Sequence, residues 1–92
     1  MLIKKKIKIA NPQGLHARPA SNFVKMLSRF ESDVTVRKGS ERVDGKSIMG
    51  LMTLAANHGA MLEVEVSGPD AEQAMREIEM FLAKDTDEGD VK

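Results

Sequence analysis

Residues 14–30, GLHARPASNFVKMLSRF, combine a helix-start signal with an amphipathic repeat, and they set the order of the elements around them. Pro19 is tolerated in a first helical turn, because its missing N–H has no intrahelical partner there. The apolar positions behind it follow helical spacing: Ala20, Phe23, Val24, Leu27 and Phe30. This spacing predicts an amphipathic helix from Ala17 to about Phe30. His16 is therefore expected at or beside the N-cap.

Period-two alternation of apolar and polar residues predicts strands on both sides of this helix. Isoleucines and lysines alternate over residues 3–9, with Lys5 interrupting the apolar set, and a turn sequence at 11–14 ends that strand. After the helix, residues 34–37 alternate again and lead through the two-residue turn Gly39-Ser40 into a short return strand, which is a hairpin pattern. A fourth strand is predicted where Leu62, Val64 and Val66 alternate with polar residues.

Two further helices complete the pattern. Ser47 is well suited to cap a short helix beginning at Ile48, and Asp70 with Gln73 resembles a capping box for the last helix. We expect Met80 to lie opposite the apolar face of that last helix. His58, in Asn57-His58-Gly59, is expected in an exposed turn. The predicted order is βαββαβα, an α+β fold with a four-stranded sheet and three helices on one face.

Composition narrows the classes of function. Fourteen basic and fourteen acidic side chains balance, and no aromatic residues interleave with the lysines of the first strand, which argues against nucleic-acid binding. The absence of cysteine and the presence of two histidines argue against a structural zinc site. No apolar run reaches membrane-spanning length, and we expect a cytoplasmic protein. Residues 1–84 are predicted to form one domain, and the acidic residues 85–92 a disordered tail.

The helix start around His16 is favourable for transient storage of a phosphoryl group. Backbone N–H groups and the positive end of the helix dipole converge there and attract a dianionic phosphate. They also disfavour the imidazolium cation, so that a ring nitrogen keeps its lone pair for attack on phosphorus. Arg18 supplies a nearby guanidinium that neutralises the phosphate. In the alternative, purely structural interpretation, His16 caps the helix and Arg18 is a solvated charge.

Residues 14–20, together with residues 45–50 (GKSIMG), resemble the histidine-containing phosphocarrier (HPr) family of the bacterial sugar phosphotransferase system. The resemblance implies an open-faced β-sandwich with an antiparallel sheet. It also implies a carrier rather than an enzyme, without a cofactor or a metal. His16 would be phosphorylated on Nδ1 by enzyme I, using phosphoenolpyruvate, and would donate to sugar-specific IIA domains. Arg18 matches the family's phosphate-assisting arginine. We expect a monomer.

Ser47 and its neighbours match further family features. Ser47 matches the serine that a dedicated kinase phosphorylates in some bacteria, where the modified protein acts with a catabolite-control transcription factor; because it is also a good N-cap, both roles stay open. Ile48, Met49 and Met52 match the apolar surface that docks enzyme I and IIA domains. We expect the two methionines to face outward while Leu51 and Leu54 are buried. A nitrogen-related branch and a purely regulatory HPr-like protein are the alternative functions.

Overall fold

A computed structural model describes residues 1–10, 12, 14–54 and 56–83 of the 92-residue chain. The acidic segment 85–92, predicted to be disordered, lies outside the described residues, as do Asn11 and Gln13 of the predicted turn. The elements follow the predicted order: β1 (Leu2–Lys8), α1 (Ala17–Leu27), β2 (Asp33–Lys38), β3 (Glu41–Asp44), α2 (Ile48–Thr53), β4 (Met61–Ser67) and α3 (Ala71–Ala83).

The four strands form one antiparallel sheet in the order β1-β4-β2-β3. β2 and β3 are the predicted hairpin, with Lys38 opposite Glu41 across the turn at Gly39 and Ser40. The last strand in sequence, β4, lies between β1 and β2, so that the first and last strands of the chain are neighbours in the sheet. The predicted α+β fold with an open sheet is confirmed.

The inner face of the sheet carries the alternating apolar residues. Leu62, Val64 and Val66 of β4 are fully covered, and the helices pack over them. Lys5 occupies an inward position on the edge strand β1, opposite Val64, and its ammonium group reaches Glu79 of α3 at 2.9 Å. A charge at such a position discourages pairing of the exposed edge with another strand.

No helix of the described residues lies over the outer face of the sheet, which is lined mainly with charged side chains. Arg37 bonds to Glu63 on the neighbouring strand, and Arg42 approaches Glu65 at 4.0 Å. Lys4, Lys6 and Lys8 of β1 lie on this face and are exposed, as expected for a solvated strand face. Exposed ion pairs of this kind add little to stability. Their effect is to keep the uncovered face hydrated.

The first helix is shorter than predicted. The periodicity placed its end near Phe30, whereas α1 ends at Leu27 with Ser28 as its C-cap. The N–H groups of Arg29 and Phe30 bond to carbonyls three residues back, and not four, which is the tight closing turn common at helix ends. Phe30 still packs against the core from beyond the helix, which explains why its spacing fitted the apolar stripe.

Asp70 stands directly before α3, and its carbonyl accepts the bond from the Ala74 N–H, as an N-cap residue does. Its carboxylate is used for a different contact from the predicted capping box. It accepts hydrogen bonds from the backbone N–H groups of Glu31 and Ser32 and from the Ser32 hydroxyl. Asp70 thus joins the start of α3 to the loop between α1 and β2. Within the described ranges, no helix has the length and apolar character needed to cross a membrane.

Candidate functional site

The His16 imidazole is held out to solvent between two buried anchors. Leu15 before it is almost completely covered, and Pro19 after it is buried, whereas His16, Ala17 and Arg18 are exposed. His16 occupies the N-cap of α1 with extended backbone angles, φ −83° and ψ −165°. The buried neighbours therefore fix the backbone of the exposed turn, and the side chain that projects from it is reachable by a partner.

The N-terminus of α1 has neither a side-chain cap from its N-cap residue nor an acidic residue in its first turn. The His16 carbonyl accepts the first helical bond, from Ala20 at 2.8 Å, but the His16 side chain makes no capping bond. The His16 side chain therefore does not cap the helix. The first turn contains no acidic residue, so no carboxylate neutralises the positive end of the helix dipole. The amides of Ala17 and Arg18 belong to the turn whose N–H groups have no intrahelical acceptor.

Arg18 adds a full positive charge to the same turn. It is exposed and lies two residues after His16, in the second position of α1. A guanidinium there can bond a phosphate through two N–H groups at once. Across the described ranges, no three histidine, cysteine, aspartate or glutamate side chains come together as a metal-binding group would require. The functional groups described at this site are therefore one imidazole, one guanidinium and the backbone N–H groups of the first helical turn.

Asn57 contacts the imidazole from a distant part of the chain. Its side-chain oxygen lies 2.9 Å from His16 Nε2, across 41 positions of sequence. In the part of the chain that the structure describes, Nδ1 of His16 makes no hydrogen bond. Sequence reasoning missed Asn57, because an asparagine before a glycine is an ordinary turn signal and nothing local indicates what its side chain reaches. The neighbouring His58 is exposed in the turn, as expected.

Ser47 caps α2 as predicted. Its hydroxyl oxygen accepts a hydrogen bond from the Gly50 N–H at 3.0 Å, and its backbone is extended. The residue is half-buried. A phosphate on this oxygen would lie beside Ile48 at the start of the helix.

The short helix α2 divides its apolar residues between the core and the surface. Leu51 and Leu54 are buried, whereas Ile48, Met49 and Met52 are exposed, with 79% of Met49 accessible. The predicted division of this helix is confirmed. We call Ile48, Met49 and Met52 the α2 patch. α2 packs against α1, the helix that presents His16. Met80 is also exposed, but on α3.

Comparison with known proteins links these features to one family. The family model described as the PTS HPr component phosphorylation site matches residues 3–84. The phosphocarrier protein HPr of Neisseria meningitidis serogroup A is 49% identical over 75 residues, which cover 82% of this chain and 84% of that protein. The crystal structure of a phosphocarrier protein HPr from Bacillus anthracis superposes with a TM-score of 0.86 at 36% identity, covering 88% of this chain and 96% of the other.

A second kind of relative is the catabolite repression protein Crh of Bacillus subtilis. Its crystal structure, a dimer with a swapped domain, superposes with a TM-score of 0.73 at 34% identity and covers 91% of this chain and 97% of the other.

Proposed function

The chain belongs to the HPr family of phosphocarrier proteins of the phosphotransferase system, and we propose that it accepts a phosphoryl group from enzyme I on Nδ1 of His16 and donates it to IIA domains in the cytoplasm. Proteins of this family are carriers and not catalysts. The observation that carries the proposal is the exposed imidazole at the uncapped start of α1, with Nδ1 free of hydrogen bonds to the described residues.

The surroundings of His16 support both acceptance and release of the phosphoryl group. Amides of the first helical turn and the Arg18 guanidinium attract the phosphate oxygens and spread their charge. Because the site is exposed, these interactions are weakened by water and hold the group without trapping it. A carrier needs this balance, since the phosphoryl group must leave for the next protein. We propose Arg18 as the side chain that stabilises the phosphate.

The test mixes the protein with enzyme I and labelled phosphoenolpyruvate. We expect acid-labile label on the protein and none on the His16→Ala variant. The chain has two histidines, so that His58→Ala is a matched control, and it should accept label like the wild type. Undiminished label on the His16→Ala protein would refute the assignment.

We propose that the α2 patch docks enzyme I and IIA domains. The methionines are flexible and polarisable, which allows one surface to fit several partners. The patch lies on a helix that packs against α1, so a partner seated on it also reaches the helix that presents His16. Exposed apolar side chains in one short helix are otherwise unfavourable in water. We propose that the carrier acts as a monomer.

We further propose that a serine kinase phosphorylates Ser47 and that a catabolite-control transcription factor binds the phosphorylated protein. The hydroxyl is next to Ile48, so an added negative charge would oppose docking on the α2 patch. We expect Ser47→Asp to accept label from enzyme I more slowly than the wild type. Ser40→Asp, a charge added in the exposed turn of the β2–β3 hairpin, is the control. An unchanged rate for Ser47→Asp would count against regulation at this site.

A regulatory protein without phosphoryl transfer is the second candidate, because the Crh protein resembles this chain along almost its whole length. The labelling experiment separates the two functions: the regulatory candidate predicts a protein that enzyme I leaves unlabelled.

A further inference from the structure

We propose that Asn57 is a positioning residue for phosphoryl transfer, which fixes the proton of the neutral His16 ring on Nε2 and turns Nδ1 toward the incoming phosphorus. This inference rests on the proposed function, since it assumes that His16 is the acceptor. It assigns a role to a side chain that lies outside both motifs by which the sequence resembles its family.

The contact determines the tautomer of the imidazole. A neutral imidazole has one nitrogen that donates a hydrogen bond and one that accepts. The Asn57 amide oxygen, 2.9 Å from Nε2, is an acceptor only, so Nε2 must donate to it. The lone pair is then on Nδ1, the nitrogen that attacks. A partner that holds the second nitrogen of a histidine commonly selects the reactive state of the first.

The backbone around Asn57 is fixed by its own turn. The Asn57 carbonyl accepts a bond from the Ala60 N–H at 2.9 Å, which closes a four-residue turn with His58 and Gly59 at its centre. Gly59 has φ +89°, the conformation that a type II turn requires at its third position. The Gly59 N–H also bonds to the Ile9 carbonyl at 2.8 Å.

A separate contact joins this turn to the His16 segment. The Leu15 N–H donates a hydrogen bond to the Ala56 carbonyl at 2.8 Å. Leu15 directly precedes His16, and Ala56 directly precedes Asn57. Gly14 lies so close that an added Cβ would come within 2.9 Å of the Asn57 Cα. The two backbones are therefore docked against each other, and the side-chain bond follows from a fixed backbone distance. This is the arrangement expected of a positioning residue.

Asn57 also contributes as the phosphoryl group moves. The Nδ1 lone pair forms the bond to phosphorus while the bond from phosphorus to the phosphorylated enzyme I breaks, and the electron pair of that bond leaves with enzyme I. The proton stays on Nε2, so the ring gains positive charge. A hydrogen bond from a charged donor is stronger than one from a neutral donor. The bond to Asn57 therefore tightens during the transfer, and its loss should lower the rate constant more than the affinity for enzyme I.

The test compares Asn57→Leu, which has similar bulk and no acceptor, with Asn57→Asp, which keeps an acceptor oxygen. Nitrogen NMR of the neutral ring reports which nitrogen carries the proton. We expect the wild type and Asn57→Asp to hold it on Nε2, and Asn57→Leu to show a mixture of the two tautomers. Transfer from enzyme I to Asn57→Leu should have a kcat about two- to tenfold lower, with little change in KM. Asn57→Asp should be faster than Asn57→Leu.

His58→Leu, a change at the next position of the same turn, is the control and should match the wild type in both measurements. An unchanged tautomer or an unchanged kcat in Asn57→Leu would overturn the proposal. An Asn57→Asp protein that is as slow as Asn57→Leu would also overturn the proposal, since a purely structural effect would slow both variants equally. Failure of the proposed function is distinguishable, because then the wild-type protein itself takes no label on His16.

Discussion

Gly14 shows at the scale of one residue how the site depends on backbone geometry. Its φ of +63° is in the left-handed region, which side chains with a Cβ rarely adopt. A Cβ at this position would also overlap the carbonyl oxygen of Ala56. Gly14 is therefore required both by the turn before His16 and by the close approach of the segment that carries Asn57.

We predict that Gly14→Ala destabilises the protein by more than Gly39→Ala does. Gly39 has the same φ of +63° but open space around it, so its replacement measures the conformational cost alone, about 1–2 kcal/mol. The overlap at Gly14 should add about 1–3 kcal/mol. Urea unfolding of both variants gives the two free energies of unfolding. If both variants lost the same free energy of unfolding, the overlap with Ala56 and Asn57 would add no destabilisation.

At the scale of elements, the N-termini of the two helices near the site are capped differently. α2 has six residues and closes its first turn with the Ser47 hydroxyl. α1 has eleven residues and a buried face that includes Phe23, so packing can stabilise it without a side-chain cap. Its open end is then available for an anion. The difference in capping thus separates a structural helix start from one suited to binding.

The third helix start is joined to the rest of the fold by Asp70. The hydrogen bond from the Ser32 hydroxyl lowers the pKa of the Asp70 carboxyl, with a further contribution from the Glu31 backbone N–H. A carboxyl whose pKa is lower in the folded than in the unfolded state stabilises the fold above the unfolded value, about 3.9. That stabilisation is lost as the pH falls through the lower, folded pKa.

We therefore predict that Asp70→Asn lowers the free energy of unfolding at neutral pH, and that the difference from the wild type narrows as the pH falls below about 4. Urea unfolding at several pH values between about 3 and 7 provides the measurement. Glu41→Gln changes an exposed carboxylate of the hairpin and should not reproduce the effect. A difference between Asp70→Asn and wild type that stays constant with pH would contradict the assigned cause.

For the whole molecule, the one-sided covering of the sheet decides which surfaces can meet a partner. Helices cover the apolar face, and the opposite face carries mainly charged side chains, among them the cross-strand pairs Arg37–Glu63 and Arg42–Glu65. The exposed apolar residues on the helical side include the α2 patch and Met80 of α3. Both α2 and α3 pack against α1, the helix that presents His16, but the α2 patch brings three exposed apolar side chains together on one short helix.

We predict that Met49→Gln raises the KM for enzyme I by about fivefold or more while leaving the protein as stable as the wild type. Met80→Gln is the matched control: its side chain is also mostly exposed, but on α3, and the variant should transfer normally. Steady-state labelling from enzyme I gives the KM, and urea unfolding gives the stability. If the two variants behaved alike, the docking surface would have to be elsewhere.

The sequence predicted the elements because each depends on residues close together in the chain. The alternation in β4, the proline at the start of α1 and the serine before α2 are local signals, and all three elements begin at or next to the predicted residue. The end of α1 was predicted three residues too late, since Phe30 continues the apolar spacing although the backbone has already left the helix. Periodicity records which side chains are buried, and burial can continue after a helix ends.

By itself, then, the sequence determined the order of the elements, the apolar face of each one and the place of His16 at a helix start, because these follow from local spacing and backbone preferences. The tertiary structure alone decided what approaches the imidazole. Asn57 reaches His16 because the backbones at Gly14–Leu15 and at Ala56–Asn57 dock against each other. Likewise, Asp70 serves a loop 38 residues away and not only its own helix. Contacts across such separations arise from packing, which no local pattern encodes.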